Sequence, residues 1–454
     1  MKLYAENILL SDGWQKNKTI VIENGIIIDI MNGKDASALV AKGPVIPGMI
    51  NCHSHAFQRA FAGFSEQGSE GQDSFWTWRK IMYKFLAQLT QTDAQLIAQQ
   101  LYIEMLKSGY TRVAEFHYLH HDIDGVNYSE APNMANAIFD AAKNAGIGLT
   151  MLPVLYQYSG SGEQAPSEGQ KRFIHSIKKF NDLVSECFSL SQDYQNTNVG
   201  IAPHSLRAVD KESLHAAIKH IRELDQHAPI HIHIAEQQKE VEDCIAHYGK
   251  RPVQWLLDNC SIDEHWCLIH ATHIDEQERR GIIDAKGVAG ICPTTEANLG
   301  DGIFPTTEFM AEGGVIAIGS DSHISVNPVE ELRWLEYAQR LVKQQRAILA
   351  AQQQPSVGLH LWQQANYGGA QSTTEKCGEL AVGKQADLLV LDPQKTKLFA
   401  SSLDTLMDSF VFASQTNVIQ DVMVHGSWVI KNREHELEKD TQHEFSELLT
   451  KLSR

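Results

Sequence analysis

Between residues 45 and 319 the chain repeats one pattern eight times: a short buried-type run, then a longer stretch with helical spacing. The strand-like runs are Val45–Asn51, Arg112–Phe116, Leu149–Leu155, Val199–Pro203, Ile230–Ala235, Trp266–His270, Val288–Cys292 and Val315–Gly319. Helical patterns fill the gaps, as in Thr92–Ser108, Met134–Ala145 and Lys211–Leu224. Strands that alternate with helices argue for a parallel sheet. Eight such units predict an α/β fold closed as a (β/α)8 TIM barrel, in which the chemical groups sit at the C-terminal ends of the strands.

The flanks read differently. Lys18–Ile22 and Gly25–Ile30 surround Glu23-Asn24, a hairpin signal, and Ala386–Asp392 and Val418–Val424 return to strand-like patterning. The two ends of the chain are therefore predicted to pair into one small β sandwich. This divides the chain into a sandwich from 1–44 and 379–454, carrying a C-terminal helix, and a metal-dependent barrel from 45–378. The tail after Lys431, rich in Glu and Lys, reads as an amphipathic surface helix.

Composition narrows the partners. At 454 residues and 43% hydrophobic content the chain can bury a large core. Its formal net charge of −17 repels nucleic acid and anionic membranes, so neither is an expected partner. The same charge repels an anionic substrate at long range, so such a substrate needs arginines placed inside the site. Seven cysteines, an odd number with no CxxC pair, argue against a disulfide framework and for a reducing compartment. With no apolar signal region at Met1-Lys2-Leu3-Tyr4 and no membrane-length apolar run, a soluble, cytoplasmic protein is expected.

The 21 histidines carry the chemistry. His53-Ser54-His55 ends the first strand, and alternate residues of an extended strand point to the same side. Taken alone, an HxH pair is more often two loop histidines. But the fifth strand reads His231-Ile232-His233-Ile234-Ala235-Glu236, the sixth ends at His270, and Asp321 follows the eighth. Imidazoles and a carboxylate at four strand ends converge on one barrel mouth, and that donor set suits zinc.

HxH on strand one, His on strands five and six and Asp on strand eight resemble the amidohydrolase superfamily. So does the tail from Gly378 to Leu391, which looks like that superfamily's return strand into a two-ended sandwich. Binuclear members carry a lysine on strand four, where this chain reads Val199-Gly200-Ile201-Ala202-Pro203-His204-Ser205. The resemblance is thus to the mononuclear deaminases. It implies one Zn2+ per chain, with Fe2+ or Mn2+ also compatible, held by His53, His55, His233 and Asp321. It further implies proton-transfer roles for Glu236, His270 and Asp321. A homodimer is what the superfamily suggests.

Two arginines address the substrate. Arg79, in Phe75-Trp76-Thr77-Trp78-Arg79, and Arg207, in Pro203-His204-Ser205-Leu206-Arg207, fall in loops at the predicted mouth. A guanidinium fork binds a carboxylate in a bidentate way, so a pair suggests a dicarboxylate, although any single arginine more often makes a surface ion pair. The segments His53–Ala60, Phe75–Arg79, Glu115–His121, Ala202–Arg207 and Cys292–Gly302 resemble the formimidoylglutamate deiminase family, whose nucleobase-acting cousins tend to carry Ser-Asn where this chain has Thr295-Glu296. That resemblance implies hydrolysis of a linear amidine, N-formimino-L-glutamate, to N-formyl-L-glutamate and ammonia in histidine degradation, and it adds Gln58, Tyr118 and His204 as substrate-binding residues. The rival readings are an aminohydrolase of a nucleobase or another amidine or guanidino compound, and a catalytically dead barrel serving as a binding protein. His120, His121, His273, Trp76 and Trp78 are expected to pack or shield near the mouth.

Overall fold

The structure is a computed structural model that describes residues 1–64, 66, 75–126, 133–396 and 402–453. Eight parallel strand positions form the barrel. They are Met49–Ser54, Tyr110–His117, Gly148–Leu155, Thr197–Val199 continued by Ala202–Pro203, Ile230–Ile234, Trp266–His270, Val288–Ile291 and Val315–Ile318. Their ladders run in two arcs, strands one to four and strands five to eight. Two single parallel bridges, Ile201↔Ile230 and Ser54↔Asp321, join the arcs into a ring.

Both seams depend on a glycine. A Cβ on Gly200 would lie 2.1 Å from the Pro229 carbonyl oxygen, and one on Gly319 would lie 2.7 Å from the His53 Cβ. Only a residue without a side chain lets the backbones approach at these points. The second seam brings Asp321 to the end of strand one: its N–H donates to the His53 carbonyl at 3.0 Å.

Two strand boundaries differ from the sequence reading. The run Val45–Asn51 is two elements broken at Gly48. Val45–Pro47 joins the terminal sheet, where it pairs with Leu388–Val390, and the barrel strand begins at Met49. Pro47 has no N–H with which to extend that ladder. The run Val199–Pro203 is likewise interrupted, at Gly200-Ile201, where Ile201 bridges strand five before Ala202–Pro203 resumes pairing with strand three.

The chain ends share one eight-stranded sheet. Gly13–Glu23 and Ile26–Asn32 form the predicted hairpin, turning at Asn24 and Gly25, both with positive φ. The sheet curls until Ile26 bridges Gln385, and it encloses its own core of Leu3, Ile8, Ile20, Ile27, Val45, Leu388 and Met423. The C-terminal helix, Glu438–Leu452, leaves that sheet and buries Leu448 and Leu452 against the barrel side. There Gln99 of the helix Gln91–Ser108 donates to Thr441 at 2.8 Å. All seven cysteines are unpaired. Among the described residues, no helix is long and apolar enough to cross a membrane.

Candidate active site

The strand ends put four donors in one place. His53, His55, His233 and Asp321 are all buried, with one ligand atom from each lying within 4.8 Å of all the others. The His53 and His233 Nε2 atoms are 2.9 Å apart, and the Nε2 atoms of His53 and His55 each lie 3.3 Å from Asp321 Oδ1. His55 is pinned from behind, its Nδ1 donating to the Phe116 carbonyl at 2.9 Å, which leaves the Nε2 lone pair facing the cluster. Burial, joined by neighbouring imidazoles, pulls His233 well below its usual pKa and His53 down to about 3. Although burial opposes it, contact with His53 and His55 holds the Asp321 carboxyl well below the usual carboxylate range. Neutral imidazoles and an ionised carboxylate are the states a divalent ion requires of its ligands. The donor set therefore fits a metal centre.

Local strain shapes this mouth. His270 (φ 68°), Asp321 (φ 44°) and Ala235 (φ 51°) all sit in the left-handed region directly after or at the end of a strand. Such conformations cost about 1–3 kcal/mol each and persist where surrounding structure enforces them. At the strand-five turn the enforcement is visible: the buried Glu240 carboxylate accepts from Ala235 N–H at 3.2 Å and Glu236 N–H at 3.1 Å.

His270 stands among carboxylates. Its Nε2 is 3.8 Å from both Glu236 Oε1 and Asp321 Oδ2, and its Nδ1 is 3.2 Å from Glu296 Oε1. Burial would depress its pKa, but Glu236, Glu296 and Asp321 together raise it to about 10. Glu236 itself is raised above the ordinary carboxylate range, chiefly by burial. It lies outside the four-donor cluster.

One cavity is lined both by these groups and by Arg79 and Arg207. Arg79 comes from the helix Phe75–Leu86, and Arg207 from the loop after strand four. Gln58, Tyr118 and His204 line the same space. Gln58 donates to the Tyr118 hydroxyl at 2.9 Å, and the Tyr118 ring packs edge-on against His55 with centroids 4.9 Å apart. Every residue named from the sequence as a candidate for metal binding, proton transfer or substrate binding, apart from the fully buried His53, is thus found on the wall of one cavity.

The structure adds residues that the sequence did not single out for the site. Glu296 holds His270 while also accepting from Cys292 N–H at 2.9 Å. Tyr83 and Tyr156 flank Arg79, whose Nε and Nη2 donate to their hydroxyls, the latter at 3.0 Å. Burial and the neighbouring Tyr156 push the Tyr83 phenol up to about 12, so it remains protonated. His120, His121 and His273 instead bond the carbonyls of Val154, Ile174 and Asp301. Trp78 lines the cavity, whereas the Trp76 side chain lies outside the described residues.

Residues 45–429 match the Amidohydrolase family. The chain belongs to that family. A relative of this amidohydrolase from Pseudomonas aeruginosa, named formimidoylglutamate deiminase, is 46% identical to it over 99% of either chain. A crystal structure described as an amidohydrolase from Brucella melitensis is 42% identical, covers both chains in full and superposes with a TM-score of 0.94. At 19% identity, an adenosine deaminase from Xanthomonas campestris crystallised with bound zinc superposes with a TM-score of 0.78 over 99% of this chain and 98% of its own, a likeness of fold alone.

Proposed function

We propose that this amidohydrolase hydrolyses N-formimino-L-glutamate to N-formyl-L-glutamate and ammonia. The observation that carries the reading is the make-up of one cavity, whose wall brings His55, His233 and Asp321 of the four-donor cluster together with Arg79 and Arg207. The substrate asks for both kinds of group, since it carries an amidine and two carboxylates, one on the carbon beside the amidine nitrogen and one at the far end of the chain. The likeness to the Pseudomonas aeruginosa enzyme, over nearly the whole of both chains, supports the same assignment.

The four donors would hold one divalent ion, which we take to be zinc; Fe2+ or Mn2+ would also accept such a set. When bound, that ion supplies Lewis acidity and makes water a nucleophile near neutral pH. The protein's own groups manage the protons. Asp321 is placed to take the proton that water loses as its oxygen bonds to the formimino carbon, while His270, 3.8 Å from it, orients the attacking oxygen and steadies the developing charge. Glu236 faces the same His270 nitrogen and is placed to pass a proton to the departing nitrogen as the C–N bond breaks. Arg79 and Arg207 hold the carboxylates, and Gln58, Tyr118 and His204 position the chain between. The seven unpaired cysteines favour work in the reducing cytoplasm.

The deciding experiment is ammonia release by metal-replete protein, offered N-formimino-L-glutamate with guanine, cytosine and adenine as comparators. Selective turnover of the formimino compound is expected. Activity on a base alone would keep the metal site and overturn the substrate.

Two variants refine the roles. Arg207→Ala should raise KM about 10- to 100-fold with kcat little changed, since a charge-assisted contact made equally in ground and transition states is lost. Unaltered steady-state constants would reject a carboxylate contact there. Glu296→Ala should retain metal and KM but lower kcat about tenfold or more, because the partner that orients His270 is gone. A parental kcat would reduce Glu296 to a helix-terminal packing group.

A further inference from the structure

The hydrogen bonds behind the arginine wall dictate where one phenolic proton goes. Gln170 is fully buried, and its Oε1 accepts from Ser167 N–H at 2.8 Å and from the Ser167 hydroxyl at 2.9 Å. A backbone N–H can only donate, so the amide orientation is fixed and its Nε2 must face the other way. That Nε2 donates to the Tyr156 hydroxyl oxygen at 2.8 Å. Arg79 Nη2, also a donor without alternative, reaches the same oxygen at 3.0 Å. With both acceptor directions of the oxygen occupied, the Tyr156 O–H must point elsewhere, and no described group accepts it. Tyr156 is buried and forms part of the cavity wall, while Gln170 lies outside the cavity.

We infer that Tyr156 reads the substrate: its O–H, aimed by Gln170 and Arg79, donates to a substrate carboxylate held at the arginine wall. Tyr156 is then a specificity residue and Gln170 a positioning residue that never touches the substrate. The arrangement selects an anionic acceptor, because a buried O–H facing a methyl group is left without a partner. Tyr83 completes the cradle, its hydroxyl oxygen accepting a hydrogen bond from Arg79 Nε–H. This inference rests on the dicarboxylate reading given above.

The test is a cycle between enzyme and substrate. Tyr156→Phe keeps the ring and removes the O–H. It should raise KM for N-formimino-L-glutamate about tenfold or more and leave kcat within about threefold. Each carboxylate is then removed in turn, using N-formimino-γ-aminobutyrate and N-formimino-L-norvaline as substrates or competitive inhibitors. For the compound lacking the carboxylate that Tyr156 holds, variant and parent should perform alike. Gln170→Glu supplies the second arm. A carboxylate oxygen facing Tyr156 would draw the phenolic proton out of the cavity, so this variant should reproduce the same selective rise in KM. An unchanged KM in Tyr156→Phe, or an equal loss on all three compounds, overturns the inference while leaving the proposed reaction intact. If the parent protein releases no ammonia from N-formimino-L-glutamate, the substrate reading fails and takes this inference with it.

Discussion

Glu236→Gln should bind its metal as the parent does and turn over about 10²–10⁴-fold more slowly, the range expected when a positioned general acid–base group is lost. The substitution is nearly isosteric, and Glu236 is not one of the four donors, so neither the metal nor the cavity wall is disturbed. Its backbone position is held independently by Glu240, which clamps the strand-five turn through the N–H groups of Ala235 and Glu236. What the amide lacks is the capacity to take a proton and return it beside His270 Nε2. Because that exchange belongs to the transition state, kcat and kcat/KM should fall together while KM stays near its parental value. Steady-state ammonia release, alongside metal content by mass spectrometry, checks both halves. Undiminished turnover with metal bound would remove Glu236 from the reaction.

The clustering of the candidate-site side chains was legible from the sequence because they lie at strand ends, where an apolar run gives way to polar residues. His53, His55, His233, His270 and Asp321 all carry that local mark, and barrel closure does the rest without any further signal. The cavity wall around Arg79 was half legible. Arg79 and Arg207 stand out as charges, although Arg79 lies on the helix Phe75–Leu86 and not in the loop expected for it, but Tyr83 and Tyr156 read as ordinary helix and strand aromatics until the fold sets them on either side of Arg79. Glu296 was visible as a departure from the Ser-Asn of related deaminases, yet it lies in the helix Pro293–Leu299 and its partner His270 is 26 residues away at the end of a strand. The strand boundaries failed at Gly48 and Gly200 for a related reason. Residues on either side are apolar in both cases, and only a tertiary close approach, to Thr111 and to Pro229, separates one element from the next. The packing of the C-terminal helix on the barrel rather than on the terminal sheet is equally non-local.

Stripping the metal should abolish turnover and lower the melting temperature by several degrees, and a single equivalent of zinc should restore both. The donors are 0–6% exposed, and without an ion the ionised Asp321 is left in a buried pocket beside His53 and His233, whose imidazoles burial keeps neutral. An ion that binds only the folded chain stabilises it by mass action, about 4 kcal/mol at a thousand times its Kd. His233→Ala should mimic the stripped protein and resist rescue by zinc. The stoichiometry is the sharper part of the prediction, because His270, Cys292 and Asp321 form a second cluster of potential ligands that shares Asp321 with the first. That cluster is poorly prepared to hold an ion. His270 Nδ1 is engaged by Glu296, its Nε2 faces two carboxylates that raise its proton affinity, and burial pushes the Cys292 thiol well above its usual pKa. An ion there would have to displace two firmly held protons, whereas the first cluster offers lone pairs already bare. Activity regained on titrating zinc into stripped protein should therefore saturate at one equivalent per chain. A requirement for a second equivalent would mean that His270 is a ligand rather than a proton-handling group, and the division of roles between it and Glu236 would have to be redrawn.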